Sequence, residues 1–263
     1  MNLPNLSLIT FSLFALISST VAQANPSQVA STILPNPEHE TSVLPDFAAI
    51  RDVKIKKQAF FRYLLPLIRQ SNQTVLNHRA RLIAIRKLVQ ADLPIDTTSI
   101  AFLGGISSRY RVTPGNELLN QIDQLLQKVD AVPESLVLAQ AANESGWGTS
   151  RFARHANNLF GVWCFTPGCG LTPLSRDAGL KHEVARYETV SEGIDAYIHT
   201  INTNPAYIDL RAIRATTRAD EAVMNGVALA EGLVHYSARG YDYVREIQQL
   251  IRVNKLHEFN LPV

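Results

Sequence analysis

The chain has 263 residues, of which 46% are hydrophobic and 18% charged, and its formal net charge is +2. That length is ample for a buried core, and a charge so close to zero argues against a nucleic-acid partner. The slight basic excess would suit an anionic polymer such as cell-wall material. The histidines show no metal-ligand spacing, so neither a metal nor a cofactor is expected.

No charged side chain precedes Glu38, Leu8 to Ile17 is apolar, and Ala22-Gln23-Ala24 fits a small-residue cleavage site. Residues 1–24 therefore read as a secretory signal cleaved after Ala24, leaving the mature protein in the periplasm. An uncleaved anchor is the alternative, although the apolar run is short for a bilayer span of about 20 residues. No later segment reads as transmembrane, so no stable membrane insertion is expected once the signal is gone. Residues 25–45 are polar and rich in Pro and Ser, a flexible leader.

Residues 46–115 form a helical extension. Phe60, Tyr63, Leu64, Leu67 and Ile68 recur at helical spacing over Val53 to Gln70, with Pro66 expected to kink the helix. Val75, Leu76, Leu82, Ile85 and Leu88 mark a second helix from Gln73 to Ala91. The pair predicts an antiparallel helical hairpin. Ile100 to Arg111 reads as a loop or short helix, and Asn116 to Val129 as a helix.

The central stretch is Ala131 to Gly161. Its helix begins at Pro133, which suits a first turn, and ends at Ser145 before Gly146-Trp147-Gly148. Glu144 thus lies in the last turn of a buried helix, beside an indole. A carboxylate there opposes the helix dipole, and an apolar setting would raise its pKa. Ser145 reads as a helix-end hydroxyl, because no His-Asp pattern surrounds it. A short basic segment with Arg151, Arg154 and His155 leads to Asn157-Asn158-Leu159-Phe160-Gly161.

Val162 to Tyr187 has no helical period and reads as a small β-like lobe. Cys164 and Cys169 enclose Phe-Thr-Pro-Gly; in an exported protein they suggest a disulfide, the alternative being two inert thiols. Ser191 is expected to cap a helix to Asn202. Further helices are expected over Pro205 to Thr216, Ala219 to Leu233 and Tyr241 to Leu256. The fold class is mainly α. Phe160, Trp163 and Tyr187 could face the apolar side of a sugar ring. Of Asn157 and Asn158, one is expected to tie the loop and the other to meet an N-acetyl group.

The runs AANESGWGTSRFA and NNLFGVW resemble the glucosaminidase domain of glycoside hydrolase family 73. With WCFTPGCG, ARYETVSEGIDAYIHTINTNPAY and HYSARGYDYV, the resemblance is closer still to the exported bacterial Bax-type members of that family. It spans roughly Ile55 to Phe259 and implies a lysozyme-like helical domain over 116–263. It implies cleavage of the β-1,4 bond after N-acetylglucosamine in peptidoglycan. The protein is expected to be a monomer acting on peptidoglycan glycan strands. Glu144 matches the family's general acid. Glu183 is the nearest match to a second acid, with Glu188 and Asp177 as rivals. Tyr236 matches a tyrosine lining the cleft. A lytic transglycosylase, a muramidase or an inactive wall-binding module would fit the same scaffold.

Overall fold

The computed structural model describes residues 44–115, 117–174, 176, 179–220 and 222–261. The expected signal, nearly all of the expected leader, and Asp177 lie outside the described residues. Leu44 and Phe47, which opens the short 3-10 turn Phe47–Ala49, already pack into the core.

Helix α1 runs from Val53–Gln90, 38 residues, capped by the Asp52 carboxylate, which accepts from the Ile55 N–H at 2.9 Å. The two arms expected on either side of residues 71–72 are thus one continuous helix. The reason is tertiary. Ser71 donates to Asp195, and the Asn72 side chain both donates to the Val132 carbonyl (2.8 Å) and accepts from the Val132 N–H (3.0 Å). These polar residues are buried anchors rather than a turn. The antiparallel partner is α2 (Thr97–Tyr110), which sets Phe102 against Arg81 and His78 of α1. The stretch around Gly104-Gly105 is therefore helical.

Helix α3 (Leu118–Lys128) leads to α4 (Glu134–Ser145), whose residues are all buried from Glu134 to Ala142. A helix apolar on every face must be enclosed, and α1, α9 and the 3-10 turn Leu256–Phe259 enclose it. Because α1 also packs on α3 and α6, the N-terminal helices share one core with the rest.

After α5 (Arg151–Ala156) come three short strands, β1 (Trp163–Cys164), β2 (Gly170–Leu171) and β3 (Glu183–Ala185), in antiparallel order β1-β3-β2. Cys164 and Cys169 are disulfide-bonded, as expected. Gly170 is required by close approach: a Cβ there would lie 1.9 Å from the Val184 carbonyl oxygen. Helix α6 (Val190–Thr203) is capped by Thr189 rather than Ser191 and buries Ile194, Tyr197, Ile198 and Ile201. Helices α7 (Ile208–Ala219), α8 (Gly226–Leu229) and α9 (Tyr241–Val253) complete a mainly helical fold consistent with a lysozyme-like domain. Among the described residues no helix is long and apolar enough to cross a membrane.

A buried ionic knot joins these layers. Arg214, 1% exposed, donates to the carbonyls of Gln127, Lys128, Asp130 and Ala131 and to Asn202 Oδ1. It satisfies backbone oxygens that the end of α3 leaves orphaned. Arg218 grips the Asp130 carboxylate with two hydrogen bonds, 2.6 and 3.0 Å, and Arg79 lies 3.5 Å away. Burial is the largest influence on Asp130 and pushes its pKa up. The Arg218 hydrogen bonds and the charges of Arg214, Arg79 and Arg218 together outweigh it, so the net shift is downward.

Replacing Asp130 with Ala leaves buried guanidinium groups uncompensated and should lower the unfolding free energy by about 3–5 kcal/mol in urea titrations. Because the folded-state pKa is depressed, the carboxylate's contribution is present above its unfolded pKa and lost as pH falls through the folded one. The wild type's advantage over Asp130→Ala should therefore shrink in acid.

Candidate active site

The end of α4 is shaped by three successive left-handed residues, Gly146 (φ 55°), Trp147 (φ 60°) and Gly148 (φ 76°). The Trp147 N–H reaches back to the Ala142 carbonyl at 2.9 Å. Ser145 donates to the Ala141 carbonyl and accepts from the Gly148 N–H at 2.7 Å, so its hydroxyl is spent on the turn. Gly148 is obligatory: a Cβ would lie 2.6 Å from the Phe47 ring. The turn sends the Trp147 indole onto Phe60 and Phe61 of α1, with Lys57 Nζ 4.7 Å above it. The aromatic group that faces the Glu144 carboxylate is a tyrosine instead.

That tyrosine is Tyr243 of α9. A chain of hydrogen bonds runs through the core behind Glu144. Tyr197 donates to Gln140 Oε1, and Gln140 Nε2 donates to the Tyr243 hydroxyl at 2.9 Å. The Tyr243 hydroxyl in turn faces the Glu144 carboxylate and favours its ionised form. Each hydroxyl and amide is oriented by the next, which fixes the direction of the Tyr243 O–H. Gln140 and Glu144 stand one turn apart on the same helix face. The Glu144 side chain is exposed, so the acid reaches solvent while resting on this buried chain.

Although Glu144 is exposed as a residue, the protein packed around its carboxyl strips part of its hydration, and this desolvation is the largest influence on its pKa, which it raises. The charge of Glu246 adds to the rise. The Tyr243 hydroxyl, the hydrogen bond from Asn143 and the charge of Arg239 oppose it without cancelling it. Arg239 is itself paired with Glu246. The site thus holds a carboxyl that stays protonated to higher pH than an ordinary glutamate, and that is open to solvent.

The structure distributes the other residues singled out in the sequence. Tyr236 donates to the Phe160 carbonyl at 2.9 Å and stacks on Tyr243 at 5.2 Å, so it braces the acid's partner and not the acid. Phe160 is 3% exposed and stacks on Tyr197 at 4.0 Å, a core contact that leaves no face for a sugar. Asn158 is buried. Its amide donates to the carbonyls of Val162 and Ala185 and its oxygen accepts from the N–H groups of Phe160 and Val162. Asn157 ties Tyr187 and Glu188. Both asparagines tie the loop, Asn158 with its whole amide and Asn157 through its Nδ2. Trp163 is 57% exposed, its ring stacked on His182 at 4.0 Å, and offers an open aromatic face. Tyr187 is half-buried, which pushes its phenol up to about 12.

Glu183 lies on β3. Its two oxygens accept from the Gly168 and Gly170 N–H groups at 3.1 and 2.8 Å, which hold its pKa down. It is an ionised carboxylate built into the hairpin. With Cys164 and Cys169 it forms a cluster of metal-ligand types, but the two sulfurs are bonded to each other and carry no thiolate.

Sequence reasoning passed over Gln140, Tyr197 and Tyr243. Tyr243 falls within the quoted run HYSARGYDYV, and Gln140 precedes Glu144 by one helical turn. The helix face was a usable signal for Gln140, whereas the meeting of α4, α6 and α9 was not visible from spacing.

Residues 120–256 match the glucosaminidase family, described as mannosyl-glycoprotein endo-beta-N-acetylglucosaminidase. The chain is 34% identical over 205 residues to Protein bax of Escherichia coli K12, covering 78% of this chain and 72% of that protein. It is 24% identical over 151 residues to the peptidoglycan hydrolase FlgJ of Escherichia coli K12, covering 52% of this chain and 48% of FlgJ. FlgJ of Salmonella typhimurium is 27% identical over 195 residues, covering 65% and 54%. No solved structure gives a significant match.

Since the Tyr243 hydroxyl favours the ionised form of Glu144, Tyr243→Phe should raise the Glu144 pKa further. The basic limb of the pH profile of turnover should move to higher pH in that variant, and to lower pH in Glu246→Gln, which removes a repelling charge.

Proposed function

The chain belongs to the glucosaminidase family of glycoside hydrolases, and from that premise we propose that it cleaves the β-1,4 bond after N-acetylglucosamine in peptidoglycan, with Glu144 as general acid. The observation that carries the reading is the placement of a solvent-facing carboxyl, Glu144, at the end of the buried helix α4 and against the Tyr197–Gln140–Tyr243 chain. An acid of this kind transfers its proton to the glycosidic oxygen as the C–O bond breaks, and the departing sugar leaves as a neutral alcohol. Positive charge then builds on the N-acetylglucosamine ring. Water adds at its anomeric carbon and gives up a proton, leaving a reducing N-acetylglucosamine end.

Glu183 is our proposal for the group that receives that proton. In support, it is ionised at neutral pH, as a base must be, and it belongs to the lobe that also carries exposed Trp163. Trp163 and Tyr187 are proposed sugar contacts, and Tyr236 a brace for Tyr243. Both Glu183 oxygens already accept a backbone N–H. That favours a second reading in which Glu144 acts alone and a sugar hydroxyl attacks internally, as in a lytic transglycosylase.

A wall polymer as substrate and the Cys164–Cys169 disulfide support action outside the cytoplasm, in the periplasm. The relative named a peptidoglycan hydrolase supports the substrate class.

Digestion of purified peptidoglycan followed by mass spectrometry tests the proposal. Wild type should release fragments with reducing N-acetylglucosamine ends, and Glu144→Gln should cut release by about 10²–10⁴-fold. Anhydromuramic ends would favour the second reading, and undiminished release by Glu144→Gln would dismiss the acid.

A further inference from the structure

A solvent-open pocket of about 370 Å³ lies beside the end of α4, between α4, the start of α1 and the end of α9. Its size falls within the roughly 300–1,000 Å³ of small-ligand sites. It shares two residues with the surroundings of the acid. Asn143, on its wall, has its amide nitrogen 3.5 Å from Glu144 Oε1, and Glu246, also on its wall, contributes to the raised Glu144 pKa. Glu144 does not itself line the pocket, but the two residues that do and also act on its carboxyl place a group bound here beside it.

The cavity's one lysine is Lys57, from α1. Its Nζ stands 4.7 Å over the Trp147 ring and donates to Asn254 Oδ1 at 3.2 Å, a neutral partner. Lys57 has no ion pair among the described residues, and the carboxylate that lines the same cavity, Glu246, is held by Arg239. The result is an ammonium fixed in place by a ring and an amide, with its charge uncompensated. Trp147 and Leu250 supply apolar wall, and Gln249 and Asn143 supply amides. Such a lining fits a polar molecule with one negative charge, and the charge suits a carboxylate. Lys57 also lies outside residues 120–256, so the family match does not account for it.

We propose that this cavity is a subsite for a carboxylate-bearing substituent of the glycan strand, with Lys57 as its specificity determinant. The proposal rests on the peptidoglycan reading above. Two sources present the required carboxylate: the lactyl group of a peptide-free strand and the stem peptide of a substituted one. In either case α1 acts as part of the substrate site as well as a brace.

The test is binding to Glu144→Gln protein, in which cleavage does not interfere, measured by calorimetry. Three probes are compared: peptide-free strands with free lactyl carboxylates, strands bearing stem peptides, and an N-acetylglucosamine oligomer with no carboxylate. Lys57→Met, which keeps the packing on Trp147, should weaken binding of at least one carboxylate-bearing probe about tenfold and leave the oligomer unchanged. Lys57→Arg should restore the affinity. The probe that responds identifies the source. Equal effects on all three probes, no effect on any, or no binding of either strand by the Glu144→Gln protein would each overturn the subsite. If the binding pattern holds while wild type releases no fragments, the subsite stands and the hydrolase reading fails.

Discussion

The pairing of Tyr243 with Glu144 joins two requirements that ordinarily conflict. A general acid must be desolvated enough to keep its proton, yet must meet a polymer too large to enter the protein. Glu144, the proposed acid, lies in the last turn of a helix buried from Glu134 to Ala142, with its own side chain exposed and the Tyr243 hydroxyl that faces it inside. Gln140 and Tyr197 set the direction of that partner, and Tyr236 stacks on its ring. Much of the surrounding architecture follows from keeping this row of polar atoms dry and satisfied.

The enclosing layers are held by polar contacts as much as by apolar ones. Asp130 and its arginines join α1, α3 and α7 around the segment entering α4. Asn72 clamps Val132, two residues before α4 begins, in both directions. These contacts fix the start of α4, and the left-handed run at Gly146–Gly148 fixes its end. The position of Glu144 is therefore set from both sides, which is what a proton donor needs to act at a single bond.

Several of these features were legible in the sequence, and the reason lies in their locality. The α4 helix, its glycine stop, the disulfide and the β-like lobe are each encoded within a few residues. The amphipathic stripe of α6 is equally local. What spacing could not show was long-range. Ser71 and Asn72 look like a break in α1 until Asp195 and Val132 are seen to receive them. Asn158 and Phe160 look like ligands for a sugar until the loop and Tyr197 are seen to use them. Trp147 stands next to the acid in sequence, but the left-handed turn carries its ring to α1. In each case a side chain with chemical potential was claimed by a partner far along the chain.

The account stands on the ionisation of one group, and a direct titration measures it. Carbon-13 labelling of glutamate side chains, with Glu144→Gln to assign the resonance, gives the midpoint of Glu144 in the folded protein by NMR. The account predicts a midpoint clearly above that of an ordinary glutamate. A Glu144 midpoint at or below the ordinary value would contradict it, because the carboxyl would then hold no proton to give at neutral pH.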